Sequence, residues 1–260
     1  MIIDLMYVGA GAFTGFIVGL TGVGGGALMT PILLLVFNVN PIAAVATDLW
    51  YAAITKSSAL FAYNKNKQID WAIVRRLWLG SIPAALIVLF AISMGVLEKS
   101  EGIISKIIGV VVLITAIGLV ISNWLKKKVI IFRNSNISRF KSLQTPLTIG
   151  AGGALGTLVT LTSVGAGSLG TVILFYLYPI RLTPYKLIST EVSHAIPLAL
   201  VAGIGYLWMG GVDFTLLGNL LLGSIPAAYI GGMSAKRFKD HWLKIILAIV
   251  LCAAGFKLLK

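Results

Sequence analysis

Two acidic residues of this chain lie deep inside apolar stretches, where a charged side chain is costly. Of the eight acidic residues among 260, only Asp48 and Glu191 are placed in this way. Carboxyl groups at membrane depth commonly take part in transport or carry protons. The alternative is a neutral, hydrogen-bonded structural acid that caps an interrupted helix. The residue types leave both interpretations open, because one carboxyl group could serve both purposes.

Two other ionisable residues accompany these acids. His194 follows Glu191 by three residues and therefore shares its helix face. It could pass a proton at neutral pH, or it could be a buried structural histidine. Lys56 lies about 12 Å of helical rise from Asp48, too far for a direct ion pair on one straight helix. It could contact an anionic substrate, or its long side chain could extend to the cytoplasmic boundary of the membrane.

Two glycine-rich stretches interrupt the apolar sequence, "GLTGVGGGALMTP" at residues 19–31 and "TLTSVGAGSLGTV" at residues 160–172. Unwound glycine backbone exposes N–H groups, and the helix that follows begins with partial positive charge. Each stretch therefore predicts a turn that binds an anion, with side-chain hydroxyls as further donors. The predicted substrate-binding residues are Thr21, Gly24, Gly25, Gly26, Thr162, Ser163, Gly165, Gly167 and Ser168.

Other glycines have a different predicted role. Gly11, Gly15 and Gly19 recur every four residues, a spacing typical of closely packed helices. The sequence "GVGGGA" also matches a loose dinucleotide-binding pattern, but no strand precedes it. We therefore expect no cofactor.

The elements that carry these residues occur twice along the chain. "GSIPAA" lies at residues 80–85 and again at 223–228, and the same offset of 143 pairs Asp48 with Glu191. An offset of 141 aligns the two glycine-rich stretches. Matches that keep their order indicate an internal duplication. The predicted copies are residues 1–125 and 146–260, joined by a basic linker at 126–145.

Composition and charge pattern predict the membrane arrangement. The chain is 58% hydrophobic and 11% charged, whereas soluble domains are about 25% charged. We therefore predict an all-α polytopic membrane protein, in which each copy is a glycine-broken pair of short helices plus three transmembrane helices. Basic clusters between apolar runs indicate cytoplasmic loops, including 126–145, and not a surface for nucleic acid. These loops all obey the positive-inside rule only if the second broken pair enters and leaves on one side, which makes the copies inverted.

These features together resemble the sulfite exporter TauE/SafE family of membrane transporters for sulfur compounds. The resemblance rests on "GFIVGLTGVGGGALMTPILL", its weaker copy "GTLVTLTSVGAGSLGTVILF", the paired acids and the repeated "GSIPAA". It implies a multi-pass permease of a bacterial or archaeal plasma membrane. The implied substrates are small anions such as sulfite or organosulfonates, with protons as a candidate coupling ion.

The predicted function is secondary transport of a small anion by alternating access. The two glycine turns would hold the anion, Asp48, Glu191 and His194 would carry coupling protons, and Lys56 is a candidate substrate contact. The alternatives are a passive anion channel and a transporter of another small anion. We do not expect an enzyme, because the sequence holds no paired Asp-rich motif, no H-E-x-x-H motif and no plausible Ser/His/Asp set. The single cysteine, Cys252, allows no cysteine-based metal site.

Overall fold

A computed structural model describes residues 3–21, 26–63, 69–95, 106–118, 137–165, 167–234 and 240–259. The regular structure of these described residues is entirely helical. The helices in chain order are α1 (Leu5–Thr21), α2 (Gly26–Leu35), α3 (Pro41–Tyr63), α4 (Trp71–Ser93), α5 (Lys106–Gly118), α6 (Ile137–Thr162), α7 (Ser168–Leu177), α8 (Pro184–Trp208), α9 (Phe214–Ser234) and α10 (Asp240–Leu259). The predicted plan of a broken helix pair followed by three helices is confirmed in each half of the chain.

The helices that carry the two buried acids begin with the same local chemistry. Proline is the first residue of both α3 and α8, where its missing N–H is not needed for a helical hydrogen bond. Before α3, the Asn40 side chain accepts a hydrogen bond from the Ile42 N–H at 2.9 Å. Before α8, the Thr183 hydroxyl oxygen accepts one from the Lys186 N–H at 3.4 Å. Both helix starts are therefore specified by a capping side chain followed by proline.

Helix lengths divide the chain into spanning and partial elements. Among the described residues, α4, α8 and α9 are long and apolar enough to cross a membrane. By contrast, α2 and α7 have ten residues each, about 15 Å of helix, or half of a hydrocarbon core. Such pieces reach only to the middle of the membrane. The tips that precede them therefore have to be covered by protein.

The start of α6 differs from the sequence-based expectation. The helix begins at Ile137, inside the segment assigned to the linker, and Pro146 lies within it. The sequence pattern instead places the start of the second copy at residue 146. The Gln144 amide donates a hydrogen bond to the Leu177 carbonyl oxygen at 2.8 Å, which fixes these first polar turns against the end of α7.

Glycine faces join each half of the chain to the other. A Cβ atom on Gly11 of α1 would lie 2.1 Å from the Leu220 carbonyl oxygen of α9, so only glycine permits this approach. At the equivalent place, a Cβ atom on Gly152 of α6 would lie 2.3 Å from the Leu77 carbonyl oxygen of α4. Similar contacts follow at Gly15 and Gly19. The predicted packing role of these glycines is confirmed, and each contact pairs a helix of one copy with a helix of the other.

The order of contacts gives the relative directions of the helices. Along α1 and α9, successive contacts advance in the same direction, so these helices are parallel. Between α3 and α8 the order is reversed. The Trp50 indole donates to the Gly203 carbonyl oxygen at 3.0 Å, whereas the earlier residue Ala46 lies against the later Gly211. The equivalent helices α3 and α8 are therefore antiparallel.

The most buried helices lie at the centre of the structure. Of the apolar window in α8, 67% is buried, against 28% in α4. The outer face of α4 exposes large apolar side chains, as a lipid-facing helix does: Leu79, Leu86, Ile87 and Phe90. Polar side chains on α3 and α8, in contrast, are buried within the protein. The candidate site therefore lies between these two helices and the tips.

Candidate functional site

The first tip, defined as residues 21–26, joins α1 to α2. Thr21 at the end of α1 is 3% exposed, and its hydroxyl donates to the Ile17 carbonyl oxygen at 2.8 Å. Gly26 begins α2. Gly24 and Gly25 lie outside the described residues, so their predicted roles stay predictions.

The second tip, defined as residues 162–168, shows why glycine is required. Gly165 and Gly167 have φ angles of 116° and 119°, conformations that residues with a Cβ atom rarely adopt. Thr162 stabilises the turn, since its hydroxyl oxygen accepts the Val164 N–H at 3.1 Å. Thr162 and Ser163 are both buried. The side chain of Ser168 lies outside the described part of the chain, and the backbone begins α7 there.

Thr30 of α2 connects the first half of the chain to the second tip. Its hydroxyl donates a short hydrogen bond to Asp48 Oδ2. The same hydroxyl lies 3.4 Å from the Thr162 carbonyl oxygen, at the end of α6. Ser163, which has a positive φ angle of 56°, also lies beside the Asp48 carboxyl. The broken helices of the two halves therefore meet inside the protein, next to a buried acid.

Glu191 of α8 lies against the second tip. It is 1% exposed. A Cβ atom on Gly170, in the first turn of α7, would lie 3.1 Å from Glu191 Oε1. The Gly167 backbone interacts with the same carboxyl. Each predicted proton-carrying acid is thus brought next to the short helix of its own half.

Lys56 is enclosed by the protein. Its side chain is 2% exposed and interacts electrostatically with Glu191 and, more weakly, with Asp48. The interpretation that Lys56 extends to the cytoplasmic boundary is therefore wrong. Spacing along the sequence gives only the distance between Lys56 and Asp48 along α3. The stronger electrostatic partner of Lys56 is Glu191 on α8, which runs in the opposite direction.

His194 of α8 packs against α4, a helix of the first half. Its Nε2 atom is 3.0 Å from the Ser81 hydroxyl. Trp78 donates to the His194 carbonyl oxygen at 3.2 Å. The Nδ1 atom of His194 is buried without a hydrogen-bond partner among the described residues. These contacts fix the ring, and the predicted proton-carrying role of His194 stays a prediction.

Buried polar atoms without partners in the described part of the chain lie around the two acids. Buried polar groups normally have partners, because burial without one is costly. Within the described residues, the following buried atoms near the tips have none: Asp48 Oδ1, Thr160 Oγ1, Ser163 Oγ, both carboxyl oxygens of Glu191 and His194 Nδ1. With Lys56 beside them, they form a polar cluster that can bind a small ion, water or protons.

Three residues of this cluster were not found from the sequence. Thr30 and Gly170 contact the acids directly, and Ser81 contacts His194. A signal for Thr30 was present, because the offset of 141 pairs it with Thr171, another hydroxyl residue at the same place. Gly170 and Ser81 gave no comparable signal, since their roles depend on packing between distant helices.

A charged cluster also lies outside the membrane spans, at the start of α4. Asp70 accepts hydrogen bonds from Arg181 Nε at 2.6 Å and from its terminal nitrogen at 2.8 Å. Lys186 Nζ lies 3.4 Å from the same carboxyl. Burial would raise the pKa of Asp70, but the hydrogen bonds and positive charges of Arg181 and Lys186 outweigh it and hold the pKa below its usual range. The cluster therefore ties α4 of the first half to the α7–α8 connection of the second.

The chain matches a known transporter family along nearly its whole length. The family model described as sulfite exporter TauE/SafE matches residues 7–258. The probable membrane transporter protein YjnA of Bacillus subtilis (strain 168) is 37% identical over 258 residues, which cover 96% of this chain and 97% of that protein. YdhB of the same organism, also named a probable membrane transporter protein, is 26% identical over 94% of this chain and 96% of its own length. A probable membrane transporter protein of Xylella fastidiosa (strain 9a5c) is 23% identical over 96% and 93%.

No solved structure matches the chain. The family match agrees with the resemblance inferred from the glycine-rich stretches, and the helical fold agrees with a membrane protein. On this evidence the chain belongs to the sulfite exporter TauE/SafE family and is a membrane transporter of that family.

Proposed function

We propose that this protein is a secondary transporter that moves a small sulfur-containing anion, such as sulfite or an organosulfonate, across the plasma membrane. The observation that carries the proposal is the polar cluster around the two buried acids. There the Thr30 hydroxyl of the first half lies 3.4 Å from the Thr162 carbonyl oxygen of the second. Neighbouring buried polar atoms lack partners among the described residues. Such a cluster inside an apolar protein suits a ligand that supplies the missing interactions.

The groups of the site suit an anion once the two buried acids are protonated. Lys56 is buried beside the two acids, and the tips add backbone N–H groups and hydroxyls. While either acid is ionised, its negative charge offsets that of Lys56, and protonation of both acids leaves Lys56 and these donors to neutralise an anion. Anion binding and proton binding would therefore support each other, which is the basis of coupled transport.

The two halves act, in this proposal, as inverted repeats. The antiparallel arrangement of the equivalent helices α3 and α8 supports the inversion. Rocking of one half against the other would open the site first to one side and then to the other, as in other transporters with broken helices at the midplane. The segment 126–145 is placed in the cytoplasm by its positive charge. If a cysteine introduced into this segment were labelled by a membrane-impermeant reagent added outside intact cells, this orientation would be wrong.

Transport by the purified protein in proteoliposomes tests the function. Sulfite, thiosulfate and methanesulfonate are offered one at a time, with and without a pH gradient. We expect at least one anion to accumulate against its concentration gradient when protons flow. Movement only down the gradient would identify a passive channel, and no movement of any of the three would refute the proposed substrate class.

A matched pair of glycine variants tests the role of the tip. Gly165 and Gly210 both have positive φ angles, of 116° and 72°, and a Cβ atom added to either would meet no heavy atom within 3.4 Å. Gly165→Ala and Gly210→Ala therefore introduce the same kind of backbone strain, about 1–3 kcal/mol. We expect the first to abolish transport and the second to retain it, because Gly210 lies beyond the end of α8. Equal transport by both variants would show that the tip is only a scaffold.

A further inference from the structure

The carboxyl of Glu191 lies where the proposed substrate anion would bind. Gly167 is the residue before α7, and Gly170 is in its first turn. The Glu191 carboxyl contacts this turn, 3.1 Å from the place of a Gly170 Cβ atom. Because the N-terminus of a helix carries partial positive charge and free N–H groups, it favours one negative charge at this position. The side chain and a substrate anion would compete for it.

Among the described residues, no side chain holds the Glu191 carboxyl by a hydrogen bond, although it contacts the Gly167 backbone and interacts with Lys56. Both oxygens are buried and have no hydrogen-bond partner among the described residues. Asp48, its equivalent in the first half, receives a hydrogen bond from Thr30. A carboxylate without hydrogen bonds loses less when it leaves its position than one that is held by a hydroxyl.

The titratable groups that face Glu191 come from two helices. Lys56 of α3 is its electrostatic partner, with Asp48 on the same helix. His194 lies one turn along α8 and also interacts with Lys56. The adjacent end of α6 and start of α7, residues 155–165 and 167–172, contain no acidic, basic, histidine, cysteine or tyrosine residue. The charge at the tip is therefore set by Glu191 and Lys56.

We propose that the Glu191 carboxylate occupies the anion position at the N-terminus of α7 when substrate is absent, and that it leaves this position when it takes up a proton. The inference rests on the proposed anion transport and deepens it. A proton from the water on the open side adds to the carboxylate, and a substrate anion takes its place. The negative charge of the anion then replaces that of the carboxylate at the start of α7. One proton is therefore taken up for each anion bound at this tip.

Binding of two probes to the full-length protein in lipid nanodiscs tests this competition. Methanesulfonate and thiosulfate are suitable, because neither changes charge between about pH 5 and pH 9. For the wild type we expect affinity to fall by about tenfold per pH unit once Glu191 is ionised. Glu191→Gln cannot hold a negative charge, so its affinity should equal that of the wild type at acid pH and fall less steeply as the pH rises.

Two further variants separate Glu191 from its neighbours. Loss of a proton from Lys56, Asp48 or His194 would also weaken anion binding, so the direction of the pH effect does not identify the group. Asp48→Asn retains Glu191 and should therefore still lose affinity as the pH rises, more steeply than Glu191→Gln does. Glu191→Asp keeps an acid and should restore the part of the pH dependence that Glu191→Gln removes. A thermal unfolding scan confirms that each variant is folded.

Gly170→Ala offers a second test that leaves all ionisable groups in place. The added methyl group would lie 3.1 Å from Glu191 Oε1 and push the carboxyl away from the helix start. We expect tighter anion binding at high pH and a weaker pH dependence than in the wild type. Anion binding that keeps its full pH dependence in Glu191→Gln would overturn the inference and leave the transport proposal intact. Absence of binding of both probes to every variant at every pH would also overturn the inference, and transport of sulfite in proteoliposomes would then decide the proposed function separately.

Discussion

Asp48 and Glu191 occupy equivalent positions in the two halves of the chain, yet their carboxyl groups have different surroundings. Asp48 is held by a hydrogen bond from Thr30 and lies beside Ser163. Glu191 has no hydrogen-bond partner among the described residues and lies against the glycine-lined start of α7. The same helix position therefore carries an acid held by a hydroxyl in one half and an acid without that hydrogen bond in the other.

The backbone framework around these acids, by contrast, is the same in both halves. The Thr190 hydroxyl accepts the Asp70 N–H at 3.0 Å, and the Thr47 hydroxyl accepts the Asp213 N–H at 3.3 Å. These residues correspond to one another under the offset of 143. The comparison shows that the two halves share a backbone scaffold and differ in the polar groups attached to it. Each prediction below compares a side chain with its equivalent or its neighbour.

The largest effect is expected from Lys56→Met, which leaves two buried acids without their cation. Removing one partner of a buried charge pair typically costs about 3–5 kcal/mol of unfolding free energy. We expect a lower thermal unfolding temperature and loss of transport. Because Lys56 interacts more strongly with Glu191 than with Asp48, adding Glu191→Gln should recover more stability than adding Asp48→Asn. Equal recovery by the two double variants would show that the acids are electrostatically equivalent.

A smaller effect is expected from Thr30→Val, which keeps the shape of the side chain and removes its hydroxyl. Asp48 then has a second buried oxygen without a partner, at a cost of about 1–3 kcal/mol. The matched control is Thr171→Val, because the Thr171 hydroxyl donates to the Gly167 carbonyl oxygen and not to Glu191. Thermal unfolding of the two variants gives the comparison. If Thr171→Val lost as much stability as Thr30→Val, the conclusion that a hydroxyl holds Asp48 but not Glu191 would be wrong.

The smallest effect is expected from Arg181→Gln, outside the membrane spans. Arg181 is 47% exposed, so water screens its pair with Asp70 and we expect a loss of about 1 kcal/mol. The depressed pKa of Asp70 makes this stabilisation present above the unfolded pKa of about 3.9. It is lost as pH falls through the folded pKa. The difference between wild type and variant should therefore be full at neutral pH and disappear in acid.

Two controls compare the Asp70–Arg181 ion pair with its neighbouring charged groups. Lys186→Gln should have a smaller effect, because its nitrogen is 3.4 Å from Asp70. In Asp70→Asn, the further change Arg181→Gln should cost little at any pH. Asp213, the equivalent of Asp70, instead accepts the Leu216 N–H at 2.9 Å and caps α9. A pH-independent loss in Arg181→Gln would show that the arginine acts through packing and not through charge.

The sequence was sufficient for those parts of the structure that depend on local patterns. The offsets of 141 and 143 predicted the two sets of helices, and glycine spacing predicted the packing faces at Gly11 and Gly15. The glycine-rich stretch predicted the second tip, where Gly165 and Gly167 have the positive φ angles that glycine favours.

The remaining parts depend on which helices pack together. The burial of Lys56 follows from the crossing of α3 and α8, which no spacing along α3 reveals. The Asp70–Arg181 pair joins residues 111 positions apart. The hydrogen bond of Thr30 to Asp48 depends on how α2 folds back, which the glycine-rich stretch permits but does not specify.

The glycine faces have a consequence for biosynthesis. Because α1 fits against α9, α1 meets its main neighbour only after about 200 further residues have been made. Until then the glycine face of α1 stays open to lipid or to a temporary neighbour. The same holds for α4 until α6 arrives. Neither half is therefore expected to persist alone in a membrane, whereas two half-length chains made together should recover the native pairing.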